Sequence, residues 1–171
     1  MLSKQMESAL NDQINAEMYS AYLYLAMSAY FQSAKLSGFA NWMQIQAQEE
    51  MVHAMKFYDY INERGGRVTL QSIEAPPKDW DSPLDVFDAT LQHEQKVTSL
   101  INSLVDIAME ERDHATNIFL QWFVSEQVEE EDTANEILQK IKLMADAPGG
   151  MFMLDNEMGQ RVFTAPADTA E

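Results

Sequence analysis

The residues best suited to chemistry are acids that recur at a fixed spacing. Glu17 precedes Glu50 by 33 residues and His53 by 36, and Glu94 precedes Gln127 by 33 and Glu130 by 36. The second set repeats the first at an offset of 77, and the same offset carries Glu49 onto Glu126. Glu50 and His53 stand three residues apart, as do Gln127 and Glu130. On a helix that spacing puts both side chains on one face. The six positions form a ligand set of carboxylates, one imidazole and one amide. Such oxygen-rich sets suit iron or manganese, and zinc also binds them. The charges of Glu17, Glu50, Glu94 and Glu130 are balanced by two divalent ions.

A shared centre needs rigid elements to hold these side chains at one height. Proline and glycine, which break helices, are confined to Gly38, Gly65-Gly66, Pro76-Pro77, Pro83, Pro148-Gly149-Gly150, Gly159 and the tail. Between them lie long segments with apolar residues at three- and four-residue spacing, the helical signal. The spacing predicts helices over about 4–33, 38–64, 83–111 and 113–145, a short fifth helix over about 151–158, and a frayed tail from 164. Ser3 and Ser82 are candidate N-caps, Pro83 suits the first helical position, and Gly65-Gly66 ends the second helix.

Short turns make antiparallel hairpins of the first and second helices and of the third and fourth. The stretch from Gly66 to Ser82 can reach roughly 55 Å at about 3.3 Å per residue. A helix of about 27 residues is about 40 Å long, so this stretch can run the length of the bundle. The second and third helices are then parallel. The chain reads as all-α: a four-helix bundle with one long crossover and a short fifth helix, one domain over residues 1–171.

Each core-facing stripe is broken near its middle by Glu, Gln or His: Glu17 on the first helix, Gln46, Glu50 and His53 on the second, Gln127 and Glu130 on the fourth. The third stripe reads Phe87, Leu91, Glu94, Thr98, Ile101, Val105 and Ala108. A lone acid on such a stripe most often marks a misjudged rotation or a snorkelling side chain. Acids on all four helices are different. An unpaired buried carboxylate costs several kcal/mol, and four would unfold a domain of ordinary stability. No stripe carries Lys or Arg, so a metal is the simplest counter-charge.

Composition agrees. A net charge of −17 disfavours nucleic acid, whose phosphates need a basic patch, and favours cations, although solubility alone accounts for many acidic chains. No apolar stretch approaches the roughly 20 residues that span a membrane. The N-terminus turns polar at once, with no visible signal peptide. There is no cysteine, hence no disulfide framework or thiolate site. Cytoplasm is the default compartment. The 12 methionines read as core filler.

Several motifs together carry a family likeness: Asn15-Ala16-Glu17 with Tyr19 and Tyr24, Gln48-Glu49-Glu50-Met51-Val52-His53-Ala54, His93-Glu94-Gln95, and Phe119-Leu120-Gln121-Trp122 running into Ser125-Glu126-Gln127-Val128-Glu129-Glu130-Glu131. Over nearly its whole length the chain resembles the bacterial and archaeal non-haem ferritins. The resemblance implies a ferritin-like fold and a hollow homo-oligomer of 24 subunits. It implies ferroxidase activity, with Fe²⁺ oxidised by O₂ or H₂O₂ and stored as ferric mineral. By position, Glu17, Glu50 and His53 would hold the first iron. Glu94 and Glu130 would hold the second, with Glu50 bridging and Gln127 close by. Glu49, Glu126 and Glu129 match a third nearby site, although the run from Glu129 to Asp132 also reads as a solvated acidic face. For Tyr24 the likeness implies a redox-active or hydrogen-bonding residue. A core aromatic whose hydroxyl finds a carboxylate is an equal alternative.

The chain departs from haem-binding relatives, which repeat Glu-x-x-His on the fourth helix; here Glu130 takes the histidine position. Met51 falls where those relatives ligate haem, but a methionine alone does not carry that inference. Trp122 reads as core, His93 as a surface or interface residue, and His114 has no role. The competing functions are a di-iron redox enzyme of the same fold without storage and a structural bundle holding some other metal.

Overall fold

The computed structural model of the chain describes residues 1–164. It contains α1 (Lys4–Ser33), α2 (Ser37–Glu63), α3 (Pro83–Glu110), α4 (His114–Met144) and α5 (Gly150–Met158). Each lies within one residue of the predicted range. The expected frayed tail falls, Thr164 apart, outside the described residues.

Local chemistry accounts for the helix starts. Ser3 Oγ accepts from the amide of Met6 at 3.0 Å, and Ser82 Oγ from that of Asp85 at 3.2 Å, with Pro83 at the first position of α3. Asp113 caps α4, accepting from Thr116 N at 3.1 Å. The cap of α2 comes from a distant part of the chain. Asp155 of α5 accepts from the amides of Gly38 and Phe39 at 2.8 and 3.0 Å. A Cβ on Gly38 would overlap the Asp155 carbonyl, so this glycine is what lets α5 close on α2.

The helix ends are less uniform. Gly65, at φ +72°, ends α2 as predicted. The two tight hairpin turns use Lys35 (φ 63°) and Arg112 (φ 56°) in the left-handed region. They are closed by bonds from Leu36 N to Phe31 O (3.0 Å) and from Asp113 N to Ala108 O (2.8 Å).

The crossover lies along α1 and runs in its direction. Arg67 N donates to Glu7 at 3.1 Å, Thr69 N to Asn11 at 2.6 Å and Gln71 to Asp12 at 2.6 Å, and Trp80 meets Tyr30 edge-on at 5.7 Å. This path delivers α3 to the Phe31 end of the bundle. Phe31, Phe39 and Phe87 share one apolar cluster, while Leu10, Ile61, Ala108 and Leu120 share another. Helices α2 and α3 are therefore parallel, and each hairpin is antiparallel. The fifth helix packs on α2 and α4 and buries Leu154 and Met158 in the first cluster. Burial of each such side chain contributes about 1.5–3 kcal/mol.

Between the two clusters lies a buried polar layer. The α1, α2 and α4 stripes face it as predicted. The α3 stripe is partly corrected. Phe87, Glu94, Ile101 and Ala108 are buried, but Leu91, Thr98 and Val105 are only half-buried, and Val86, Thr90, Val97 and Leu104 take the interior. Phe87, Thr90, Glu94, Val97, Ile101, Leu104 and Ala108 also follow three- and four-residue spacing, so the pattern fits two stripes that share every other position, and packing takes the earlier residue at 90/91, 97/98 and 104/105. Among the described residues, no helix is long and apolar enough to cross a membrane.

Candidate metal centre

Four helices contribute to the polar layer: Glu17 from α1, Gln46, Glu50 and His53 from α2, Glu94 from α3, Gln127 and Glu130 from α4. None is more than 8% exposed, and no Lys or Arg is among the buried residues described. Two groups are close enough to share an ion. Glu17, Glu50 and His53 each offer a ligand atom, all within 4.8 Å of one another, and His53, Glu126 and Glu130 do the same. Glu94 and Glu129 join neither group. Glu94 turns its Oε1 to the Tyr24 hydroxyl, which donates to it, and its Oε2 to the Gln127 amide at 3.2 Å. Glu129 is exposed and lines a shallow cleft between α3 and α4 with Gln95 and Asp132.

Burial without a counter-charge dominates the electrostatics. The Glu17 and Glu94 carboxyls are pushed up to about 8, first by burial and then by the charge of Glu50. Glu50 and Glu130 rise for the same reason, with Glu130 repelling Glu50 and Glu94 repelling Glu130. Burial and the neighbouring Glu94 and Glu50 hold the proton on Tyr24. Two atoms complete the picture: Glu17 Oε2 and His53 Nε2 are buried with no hydrogen-bond partner among the described residues. Each is a buried potential ligand atom left unsatisfied, of the kind a bound cation accounts for.

Further residues emerge that the spacing argument left without a role. Gln13 donates to Glu17 at 2.8 Å, and Gln46 donates to Glu50 at 3.0 Å and across the bundle to Glu130 at 2.8 Å. The signal was present, since each amide precedes its acid by four residues and Gln13 precedes Gln46 by the same 33. His93, expected at a surface or an interface, is partly exposed on the single chain. It is half-buried against Tyr19 and Tyr24, 2.8 Å from Ser20 Oγ, and burial pushes its imidazole down to about 4. Trp122 is half-buried with its ring edge-on to His53 at 5.4 Å, while His114 and Met51 are exposed.

Four inward-facing carboxylates with an (i, i+3) ligand pair make the geometry of a two-metal carboxylate bundle. Comparison with known proteins decides among such bundles. Residues 7–144 match the ferritin-like domain. The chain is 50% identical over 161 residues to a bacterial non-haem ferritin of Bacteroides fragilis, covering 94% of this chain and all of the relative.

The chain belongs to the ferritin family. A second bacterial non-haem ferritin, from Staphylococcus aureus, is 40% identical over 163 residues, covering 95% of this chain and 98% of that one. An open-pore ferritin from the archaeon Archaeoglobus fulgidus is similar in structure, with a TM-score of 0.93 at 52% identity over 95% of this chain and all of that one. A form of that ferritin engineered to be closed gives 0.94 at 52% identity, covering 96% and 100%. Ferritin membership agrees with a five-helix chain whose central layer groups carboxylates and an imidazole that could hold a metal ion.

Proposed function

We propose that this ferritin stores iron and is a ferroxidase. In this reading two Fe²⁺ ions are the substrate. Glu17, Glu50 and His53 hold one, and Glu94 and Glu130 hold the other, with Glu50 shared and Gln127 positioning Glu94. Together the two ions give up two electrons. With two protons these reduce O₂ to H₂O₂, or H₂O₂ to two waters. The ferric product passes to a mineral inside a cytoplasmic shell of 24 subunits. Glu49, Glu126 and Glu129 form a third, more exposed position beside the pair. The Tyr24 hydroxyl, held protonated, fixes the Glu94 carboxylate.

One observation carries this reading: four buried acids from four helices, raised by burial and mutual repulsion, with no Lys or Arg among the described buried residues to neutralise them. Two divalent ions supply the missing charge and hold both ligands and reactant in place. The test is anaerobic Fe²⁺ loading of the apo-protein followed by oxygen, with native mass measured beside it. Rapid oxidation of two Fe²⁺ per subunit in a particle near 24 subunits supports the reading. A stable monomer or dimer that turns over an organic substrate would replace it with the redox-enzyme alternative.

A further inference from the structure

The residues after α5 return to α2 and end on the acid that the third metal position needs. Asp155 caps α2 at Gly38 and Phe39, and the Asn41 amide donates to the Arg161 carbonyl at 3.0 Å. The Arg161 guanidinium lies over the Trp42 ring, 4.3 Å from its centroid. It donates to Gln46 Oε1 at 2.9 Å and to Glu49. The side chains of Arg161 and Glu49 are 23% and 19% exposed, so this ion pair is largely shielded from solvent.

A guanidinium and a divalent ion drawn to the same carboxylate repel one another, so Arg161 on Glu49 weakens the hold of that acid on a second cation. We propose that Arg161 is a resident counter-cation at the third position, displaced from Glu49 when a divalent ion binds there. Its second contact ties that exchange to the buried pair. A glutamine amide has one acceptor oxygen and one donor nitrogen. Arg161 occupies the oxygen of Gln46, which leaves Gln46 Nε2 aimed at Glu50 and Glu130. Release of Arg161 removes the group that sets this orientation. Arg161 is thus a positioning residue for the pair and a competitor at the third position.

The proposal rests on Glu49 and Glu126 forming a third metal position, and the experiment separates the two claims. Co²⁺ is titrated anaerobically into the full-length apo-protein and into Arg161→Gln, Arg161→Lys and Glu126→Gln, with heat and the cobalt visible spectrum as readouts. Wild type shows two tight steps and one weaker step per subunit. Arg161→Gln tightens the weak step by about tenfold, the scale of an outer ligand contact, Arg161→Lys restores the wild-type value, and Glu126→Gln loses the step. A weak step that Glu126→Gln removes but Arg161→Gln leaves unchanged overturns the competition alone. No third step in any protein overturns the third position and the competition with it. Should Arg161→Gln fail to fold, hydrogen exchange on the wild type decides. Saturating Co²⁺ must speed exchange in the peptide carrying Arg161, and unchanged or slower exchange there overturns the proposal.

Discussion

The Nε2 of His53 stands 3.9 Å from a carboxylate oxygen of Glu126, while its Nδ1 lies 3.4 Å from Glu50. The imidazole therefore separates two acidic groups, one buried and one half-buried, and is common to both. Neither distance favours a strong hydrogen bond, and Nε2 is without a partner among the described residues. Removing the ring should disable the buried pair and disturb the position beside it. For His53→Ala the fast phase of Fe²⁺ oxidation is expected to fall at least about 100-fold, the upper range seen when even an outer ligand contact is lost, with helical content kept. Stopped-flow absorbance measures it. Wild-type kinetics in this variant would remove His53 from the site.

Gln13 and Gln46 place donors on acids four residues further along their own helices, and Gln46 also reaches Glu130 on α4. An amide that bridges two helices should matter more than one that serves a single acid. Gln46→Leu is expected to weaken Co²⁺ binding at the pair by about 10- to 100-fold, and Gln13→Leu by less. Equal effects, or none from Gln46→Leu, would show that the acids are oriented without it.

The raised carboxyls make stability depend on pH in an unusual direction. The folded values of Glu17 and Glu94 are near 8, above the ordinary 4.5. Between those values the native chain holds protons that the unfolded chain has released. Stability of the metal-free protein therefore falls as pH rises through that window. Bound metal replaces the protons and removes the penalty, so binding near neutral pH releases protons. The melting temperature of apo-protein should drop from about pH 5.5 to about pH 8, and a saturating divalent ion should flatten the slope. Glu17→Gln, which cannot ionise, should also show a shallower slope. Identical slopes in apo wild type and Glu17→Gln would mean that Glu17 is ionised in the folded state.

The legible and illegible parts of this chain differ in range. Helix limits were readable because Ser3, Ser82, Pro83 and Gly65 act within a few residues of themselves. The buried polar layer was readable because the 33/36 spacing survives translation into two hairpins. The α3 rotation was ambiguous, since adjacent apolar pairs such as Leu104-Val105 satisfy two stripes and only packing against α1 and α4 chooses. Arg161 was invisible for another reason. Its pairing with Glu49 spans 112 residues and depends on where α5 docks, which no local pattern encodes. The Glu94 orientation depends likewise on Tyr24, 70 residues away.

The docking of α5 rests on one carboxylate and one missing side chain. Asp155 supplies the cap that α2 lacks in its own sequence, and Gly38 leaves room for the Asp155 backbone. Replacing Asp155 by Ala leaves two amides at the start of α2 without their acceptor. Loss of an N-cap costs about 1 kcal/mol, which in a chain of this size is about 2–4 °C in melting temperature. Gly38→Ala should cost more, because it pushes the backbone of α5 away and the Leu154 and Met158 packing with it. If α5 carries Arg161 to Glu49, both variants should also speed hydrogen exchange in the peptide around Arg161. Calorimetry and exchange together check this. A Gly38→Ala protein as stable as wild type, with Arg161 still protected, would show that the close approach of α5 and α2 does not hold the C-terminal segment in place.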